Sequence, residues 1–268
     1  MSNNSQPDWH KMAEKFDLWL PHIAPVGNAM LDVLESKSGD KILDIASGTG
    51  EPALTLARNI SSVNIVGVDA AEGMVNVAQA KVEKEGLTNI SFNVMPVEQL
   101  NYADNSFDHI ICRFGVMLFQ DPLAGLKEMY RVLKPGGSFV IAVWGARDKM
   151  PTMAWGYEAF KGKVSADDMP PLAIATSLGE PGVIDDILKQ ASFTDFQVER
   201  KYFNYDFKSF DEYWSLIESS DILKRQFDAL AESEHASVRN EISEFADEFS
   251  TESGMKVPHE YLLVYGRK

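Results

Sequence analysis

Apolar residues change their spacing near residue 40. Before it, Trp9, Ala13, Phe16 and Leu20 recur at helical intervals until Pro21 interrupts them. A second helix is expected from about Val26 to Ser36, with Pro25 suited to its start and Gly39 beyond its end. After residue 40, short apolar runs alternate with helical segments. KILDIA (41–46), VNIVGVD (63–69), NISFNVM (90–95 at its core), HIICRF (109–114) and SFVIAVW (138–144) read as buried strands. PALTLARNI (52–60), EGMVNVAQAKVEKEG (72–86) and DPLAGLKEMYRVL (121–133) read as helices, with LKPGG a sharp stop. Strands alternating with helices predict an α/β protein with a doubly wound, mostly parallel sheet covered on both faces.

The rhythm breaks after Gly145, where a Met- and aromatic-rich segment, MPTMAWGYEAF, interrupts the alternation. VIDDILKQASF (183–193) resumes as a helix, FTDFQVERKYFNYDF (193–207) carries a strand, and residues 209–250 read as acidic helices with Phe210, Tyr213, Trp214 and Leu216 as a buried face. HEYLLVYGRK (259–268) closes the chain as a strand. Three regions are therefore expected: an N-terminal helical lid (1–37), a ligand-binding α/β core (38–145), and helical capping insertions with the last two core strands (146–268).

Charge narrows the partners. Lys plus Arg total 25 against 40 Asp plus Glu, a net charge of −15, which repels phosphate backbones and anionic membranes. The nearest basic run, Lys81-Val-Glu-Lys84, is mixed with acids and reads as a solvated helix face. Cys112 is the single cysteine, inside the apolar run HIIC. It reads as a small core residue, and no disulfide or cysteine-cluster metal site is expected. MSNNSQPDWHK lacks an apolar signal core and no run is long enough to cross a bilayer, so the cytosol is the expected compartment.

The chemistry concentrates in ILDIASGTGEPAL (42–54), an apolar run ending in an acid, then two glycines, then a helix start. Gly48 and Gly50 let backbone approach a ligand, and a helix N-terminus presents free N–H groups. Gly48 to Ala53 formally matches GxGxxA, the dinucleotide pattern of nicotinamide and flavin enzymes. Asp69, 19 residues after Gly50, suits a ribose hydroxyl in either class of ligand. Asp44 discriminates. An acid beside a pyrophosphate is unfavourable, whereas it suits a cationic ligand such as S-adenosylmethionine, with its sulfonium and α-ammonium.

LDIASGTGEPALTLA resembles the first motif of class I S-adenosylmethionine-dependent methyltransferases, and VGVDAAEGMVNVAQAK resembles their second. MPVEQLNYADNSFDHIICRFGVMLFQDPLAGLKEMYRVLKPGGSFVIAVW is similar to the remainder of the fold in the ubiquinone/menaquinone-type group. The likeness covers residues 38–145 and continues more weakly through LGEPGVIDDILKQASFTDFQVE and EYLLVYGRK. It implies a Rossmann-like sheet of seven strands whose last strand runs antiparallel, inserted between the fifth and sixth. It also implies a cofactor site at Asp44, Ala46, Ser47, Gly48 and Gly50. Asp69 with Ala70 would hold the ribose, Met74 would pack on the adenine, and Pro96, Val97 and Glu98 would follow the third strand. Arg113, at the end of the fourth, suits a carboxylate of cofactor or substrate, or is a surface strand-end residue. Three positions depart from the family. Ala46 stands for a glycine, a methyl tolerated where φ is negative. Pro96 stands for an acid that holds the adenine, a role left to Glu98 or the backbone around Val97. Phe16, in AEKFD, lacks the hydroxyl of the family's Tyr-Asp element.

Candidates to face the methyl acceptor are His10, Phe16, Trp19 and His22 of the N-terminal lid, Met117 after the fourth strand, where the resemblance begins the acceptor site, and the aromatic Trp144 and Tyr205. The aromatic residues after the fifth strand are expected to be part core and part acceptor pocket. His109, His235 and His259 read as structural or exposed, and no general base is assigned. No Asn/Asp-Pro-Pro-Tyr/Phe element follows the fourth strand, which argues against nucleic-acid base methylation. The expected activity is O- or C-methylation of a small, hydrophobic or aromatic metabolite. The alternatives are an NAD(P)-dependent oxidoreductase and a non-catalytic S-adenosylmethionine-binding protein.

Overall fold

Five apolar runs and a long C-terminal pair build one sheet. The computed structural model describes residues 8–268; the first seven positions of the MSNNSQPDWHK stretch lie outside it. Helices α1 (Trp9–Phe16) and α2 (Leu20–Asp32) precede β1 (Lys41–Ile45), α3 (Ala53–Asn59), β2 (Asn64–Asp69), α4 (Glu72–Glu85) and β3 (Ile90–Val94). Then come β4 (Phe107–Arg113), α5 (Pro122–Val132), β5 (Leu133–Trp144), α6 (Pro151–Phe160), α7 (Leu172–Ala175) and α8 (Val183–Gln190). The chain closes with β6 (Asp195–Phe207), α9 (Phe210–Ser220), α10 (Lys224–Ala229), α11 (His235–Ala246), β7 (Ser250–Thr251) and β8 (Gly254–Arg267).

The strand order is β3-β2-β1-β4-β5-β8-β6, with the two-residue β7 pairing to β8 off this path. Strands β1 to β5 pair in parallel, and β8 runs antiparallel to both β5 and β6. The inserted antiparallel strand is thus as expected, and β7 is an extra short pairing. Sequence order reverses between β1 and β4, so the carboxyl ends of these two strands flank the crevice where such sheets take ligands. Helices on both faces explain the unbroken apolar runs: Ile42, Leu43, Ile110, Ile111, Phe139 and Ile141 are fully enclosed. Each such side chain contributes roughly 1.5–3 kcal/mol through removal from water. Cys112 is enclosed with them, a small core residue.

Three local expectations shift. Pro21 opens α2 instead of ending its predecessor, since a first-turn proline loses no intrahelical bond. Pro25 then falls inside the helix, where its missing N–H is offset by burial of Val26, Gly27 and Met30. LKPGG does not stop the chain between elements but begins β5, because Leu133 pairs with Phe107 before a register shift brings Ser138 opposite His109. His109 bridges Asp40 at 2.8 Å and Ser138 at 2.6 Å near the amino ends of β4 and β1, a structural role. No helix among the described residues is long and apolar enough to cross a membrane.

Candidate functional site

The glycine turn after β1 folds around two carboxylates. Gly48 (φ +53°) and Gly50 (φ +105°) occupy left-handed backbone that suits glycine. A Cβ on Gly50 would also stand 2.6 Å from Leu54 and 3.1 Å from Phe92. Asp69, at the end of β2, braces the turn: Gly48 N–H donates to Oδ2 and Ala71 N–H to Oδ1, each at 2.9 Å. Each carboxylate oxygen retains a lone pair for a further donor. Burial raises the Asp69 carboxyl above its ordinary value, against the pull of these two N–H groups.

Asp44, in β1, is enclosed, and its Oδ2 has no hydrogen-bond partner. Burial pushes this carboxyl well above the ordinary range, while nearby Arg113 draws it the other way. Arg113 is half-buried, and its guanidinium turns inward from the strand end. Nη2 donates to the Glu51 carbonyl at 2.8 Å, and Nη1 lies 3.1 Å from where a Cβ on Gly27 would stand, so the glycine in α2 makes room for it. Burial lowers its pKa to about 10. Ser47 is buried with an unpartnered Oγ, 3.0 Å from the position a Cβ would take on Gly67 of β2.

Ala46 corrects an expectation. Its φ is +53°, so the methyl sits in left-handed backbone and carries strain. The residue persists because Gly115 faces it without a side chain: a Cβ there would lie 2.5 Å from the Ala46 Cβ. Beyond β3, Pro96 is exposed and Val97 buried. Glu98 turns away to the loop before α5, where Oε1 accepts from Gln120 N–H at 2.9 Å and Asp121 N–H at 3.3 Å. Of the two expected adenine-side substitutes, the backbone around Val97 is therefore the one not committed elsewhere. Ala70 follows Asp69, and Met74 is buried in the first turns of α4.

Helix α1 lies across this region. His10, a candidate to face substrate, accepts the Gly73 N–H on Nδ1 at 2.9 Å and caps α4. A Cβ on Gly73 would stand 2.3 Å from the His10 carbonyl, so the helices touch only because that residue is glycine. Phe16 Cε1 is 3.9 Å from where a Cβ on Gly48 would stand, placing the ring over the turn. The next residue, Asp17, accepts the Thr49 hydroxyl at 2.6 Å and the Lys81 ammonium at 2.7–2.8 Å, while Lys81 also donates to the Thr49 carbonyl at 2.9 Å. Lys81 is thus not part of a solvated face but ties α1, the turn and α4 together. Sequence reasoning missed the trio Asp17, Thr49 and Lys81; the Asp after Phe16 in AEKFD was the available signal.

On the other side stand aromatic rings. Trp19, before α2, lies 5.9 Å from Tyr205 of β6 between ring centres, and His22 lies 4.8 Å from Phe207. Trp144, ending β5, stacks on Phe114 at 3.5 Å, and Met117 is buried in the turn after β4. Of the aromatics after the fifth strand, Tyr202 is exposed, whereas Trp155, Phe203, Tyr205, Phe207, Tyr213 and Trp214 are buried. Burial lowers the pKa of His22, although Glu212 and Asp206 oppose it. His259 is enclosed and held at about pKa 4; its Nδ1–H donates to the Val257 carbonyl at 3.1 Å, leaving Nε2 to accept from Thr152 at 2.7 Å. Arg200, Tyr202 and Ala146 N–H converge on the buried Glu260 carboxylate, tying β6 to β8 and the chain after β5. Among the described residues no group of His, Cys, Asp or Glu is arranged to hold a metal.

Residues 26–172 match the model of the ubiE/COQ5 methyltransferase family. A demethylmenaquinone methyltransferase of Bacteroides fragilis is 44% identical over 112 residues, 41% of this chain and 46% of that protein. A ubiquinone/menaquinone biosynthesis C-methyltransferase of Geotalea daltonii is 48% identical over 103 residues, 38% of this chain and 44% of that protein. The matched stretch thus spans less than half the length of these relatives. The crystal structure of the YcgJ protein of Bacillus subtilis is similar in fold, with a TM-score of 0.65 at 20% identity, covering 91% of this chain and 98% of that one. The family match covers more than half of the sequence and includes the glycine turn with both of its carboxylates. The chain belongs to the ubiE/COQ5 family of S-adenosylmethionine-dependent methyltransferases.

Proposed function

We propose that this protein transfers the methyl group of S-adenosylmethionine to a ring carbon or oxygen of a small, apolar aromatic acceptor. The observation that carries this reading is the unpartnered, enclosed Oδ2 of Asp44 at the glycine turn. A buried polar atom without a partner costs about 1–3 kcal/mol, and a ligand ammonium relieves it where a pyrophosphate would add repulsion. The residues present fit the cofactor. Asp44 would meet its cationic amino-acid end and Arg113 its carboxylate. The spare lone pairs of Asp69 would meet the ribose hydroxyls, with Met74 and the backbone at Val97 beside the adenine.

The bound cofactor supplies an electrophilic methyl on sulfur, and the chain supplies position and exclusion of water. Helices α1 and α2 would act as a lid, with Phe16 closing the turn and the Asp17–Thr49–Lys81 contacts holding it shut. Trp19, Tyr205, Trp144 and Met117 would form the acceptor's apolar walls. His22, kept neutral by burial at neutral pH, is the histidine of this region able to take a proton from an acceptor hydroxyl. The names of the two relatives favour carbon methylation of a quinone-type ring as the finer reading.

Label transfer from methyl-tritiated S-adenosylmethionine to reduced demethylmenaquinone and to simple naphthols tests it, alongside titration of S-adenosylhomocysteine with NAD as control. Labelled acceptor is expected. Binding of S-adenosylhomocysteine without transfer to any acceptor would favour a non-catalytic binding protein, and binding of NAD alone would return the oxidoreductase.

A further inference from the structure

Among the described residues, three enclosed side-chain polar atoms have no partner: Asp44 Oδ2, Ser47 Oγ and Trp19 Nε1. The first two belong to the glycine turn and can accept. The third differs in kind, because an indole N–H only donates. No ammonium or sulfonium can satisfy it; it requires a lone pair, and an oxygen on the ligand is the simplest source.

The residue's position says which ligand. Trp19 lies two residues after Asp17, which grips the turn through Thr49, and three after Phe16, which covers Gly48. The backbone that carries it is therefore tied to the glycine turn. The indole's ring neighbours are aromatic: Tyr205 at 5.9 Å and His22 at 6.2 Å, with His22 set against Phe207. The anionic end of a cofactor already has a cationic candidate in Arg113, whose guanidinium turns inward near Asp44. A flat, apolar ring bearing an oxygen fits the aromatic surroundings and the lone donor together.

We propose that Trp19 Nε1 hydrogen-bonds an oxygen of the methyl acceptor, selecting oxygenated aromatic rings and fixing which edge of the ring faces the transferable methyl. This assignment rests on the methyltransferase reading. An enclosed site that offers a donor discriminates strongly against analogues lacking the matching atom, because its own polar group is then left unpaired.

The test uses the full chain saturated with S-adenosylhomocysteine and two probes of the same skeleton, 2-naphthol and naphthalene, measured by calorimetric titration or competition. Wild type is expected to bind 2-naphthol at least about tenfold more tightly than naphthalene. In Trp19→Phe the preference should fall below about threefold, with S-adenosylhomocysteine affinity unchanged. Incorporation of benzothienylalanine at position 19, which keeps the shape and replaces N–H by sulfur, should give the same loss and guards against misfolding of the phenylalanine variant. In turnover, an acceptor found by the label screen should show the loss in KM and in the regiochemistry of methylation, which a purely structural tryptophan would not alter. The proposal is overturned if the preference survives either replacement, or if neither probe binds the loaded wild type. It is equally overturned if S-adenosylhomocysteine affinity falls instead, which would assign the indole to the cofactor. Failure of wild type to bind S-adenosylhomocysteine is a separate result that removes the methyltransferase reading itself.

Discussion

Replacing Asp69 with alanine separates bracing of the turn from binding of the cofactor. The carboxylate accepts two backbone N–H groups, from Gly48 and Ala71, at 2.9 Å each. Hydrogen bonds to a charged group contribute about 1.5–3 kcal/mol each. The site is part-buried and the carboxyl is itself penalised by burial, its pKa being raised. Relief of that penalty offsets part of the loss, leaving a destabilisation of about 2 kcal/mol, or roughly 4–8 °C in Tm for a chain of this size. Two ribose hydroxyls on the same carboxylate, at the low end of that range, would add about 3 kcal/mol to binding. Asp69→Ala is therefore expected to weaken S-adenosylhomocysteine by roughly 100-fold. Calorimetric titration and thermal unfolding, each with and without ligand, read the two effects separately. A Tm drop of the expected size with affinity within about threefold of wild type would refute the ribose assignment and leave Asp69 as a brace alone.

Acid should weaken cofactor binding. Asp44 and Asp69 both have folded-state pKa values raised above 3.8. Their contributions to stability are fully present below that value and are lost as pH rises through the raised pKa, because ionising an enclosed carboxyl costs energy. The ligand's ammonium and hydroxyls favour the ionised forms, so affinity for S-adenosylhomocysteine has the opposite slope and falls as pH drops through the same window above 3.8. A titration series that stays flat from about pH 7 to about pH 4 would contradict this assignment of charge. Gly73→Ala should detach α1 while sparing the core. The added methyl meets the His10 carbonyl at 2.3 Å, yet alanine favours helix α4 by about 1 kcal/mol. Hydrogen exchange should show residues 9–16 losing protection with little change in Tm, and retained protection would count against the close contact. Ala46→Gly removes left-handed strain at φ +53° but loosens the unfolded chain, so stability should move by less than about 1 kcal/mol. Affinity for S-adenosylhomocysteine should rise severalfold as the methyl leaves the turn, and a weaker complex would show that the methyl packs usefully against the ligand.

The alternation of apolar runs and helical stripes made the sheet legible, since each strand is covered on both faces and its burial is written in consecutive residues such as Ile42 and Leu43. The glycine turn was legible for a related reason: small residues beside acids have few uses other than a tight ligand cradle. The antiparallel insertion of β8 between β5 and β6 came from resemblance, because pairing partners such as Trp144 and Tyr261 carry no local sign of each other. Pro21 shows the limit of local signals, as a proline can open a helix as readily as end one, and only the packing of Met30 and Val26 selects the first.

By itself, then, the sequence determined the α/β class, the place of each core strand along the chain and the acid-flanked turn. Tertiary structure alone decided that Ala46 adopts positive φ, that Glu98 turns to the loop before α5, that the Arg113 guanidinium turns inward, and that His10 caps a helix. It also set Asp17, Thr49 and Lys81 as one cluster across separations of 32 and 64 residues. The reason is physical. Periodicity records which face of an element leaves water, a property of neighbouring residues, whereas the partner of a polar atom is chosen by how whole elements pack. An unpartnered atom such as Trp19 Nε1 is recognised only once every possible partner has been placed.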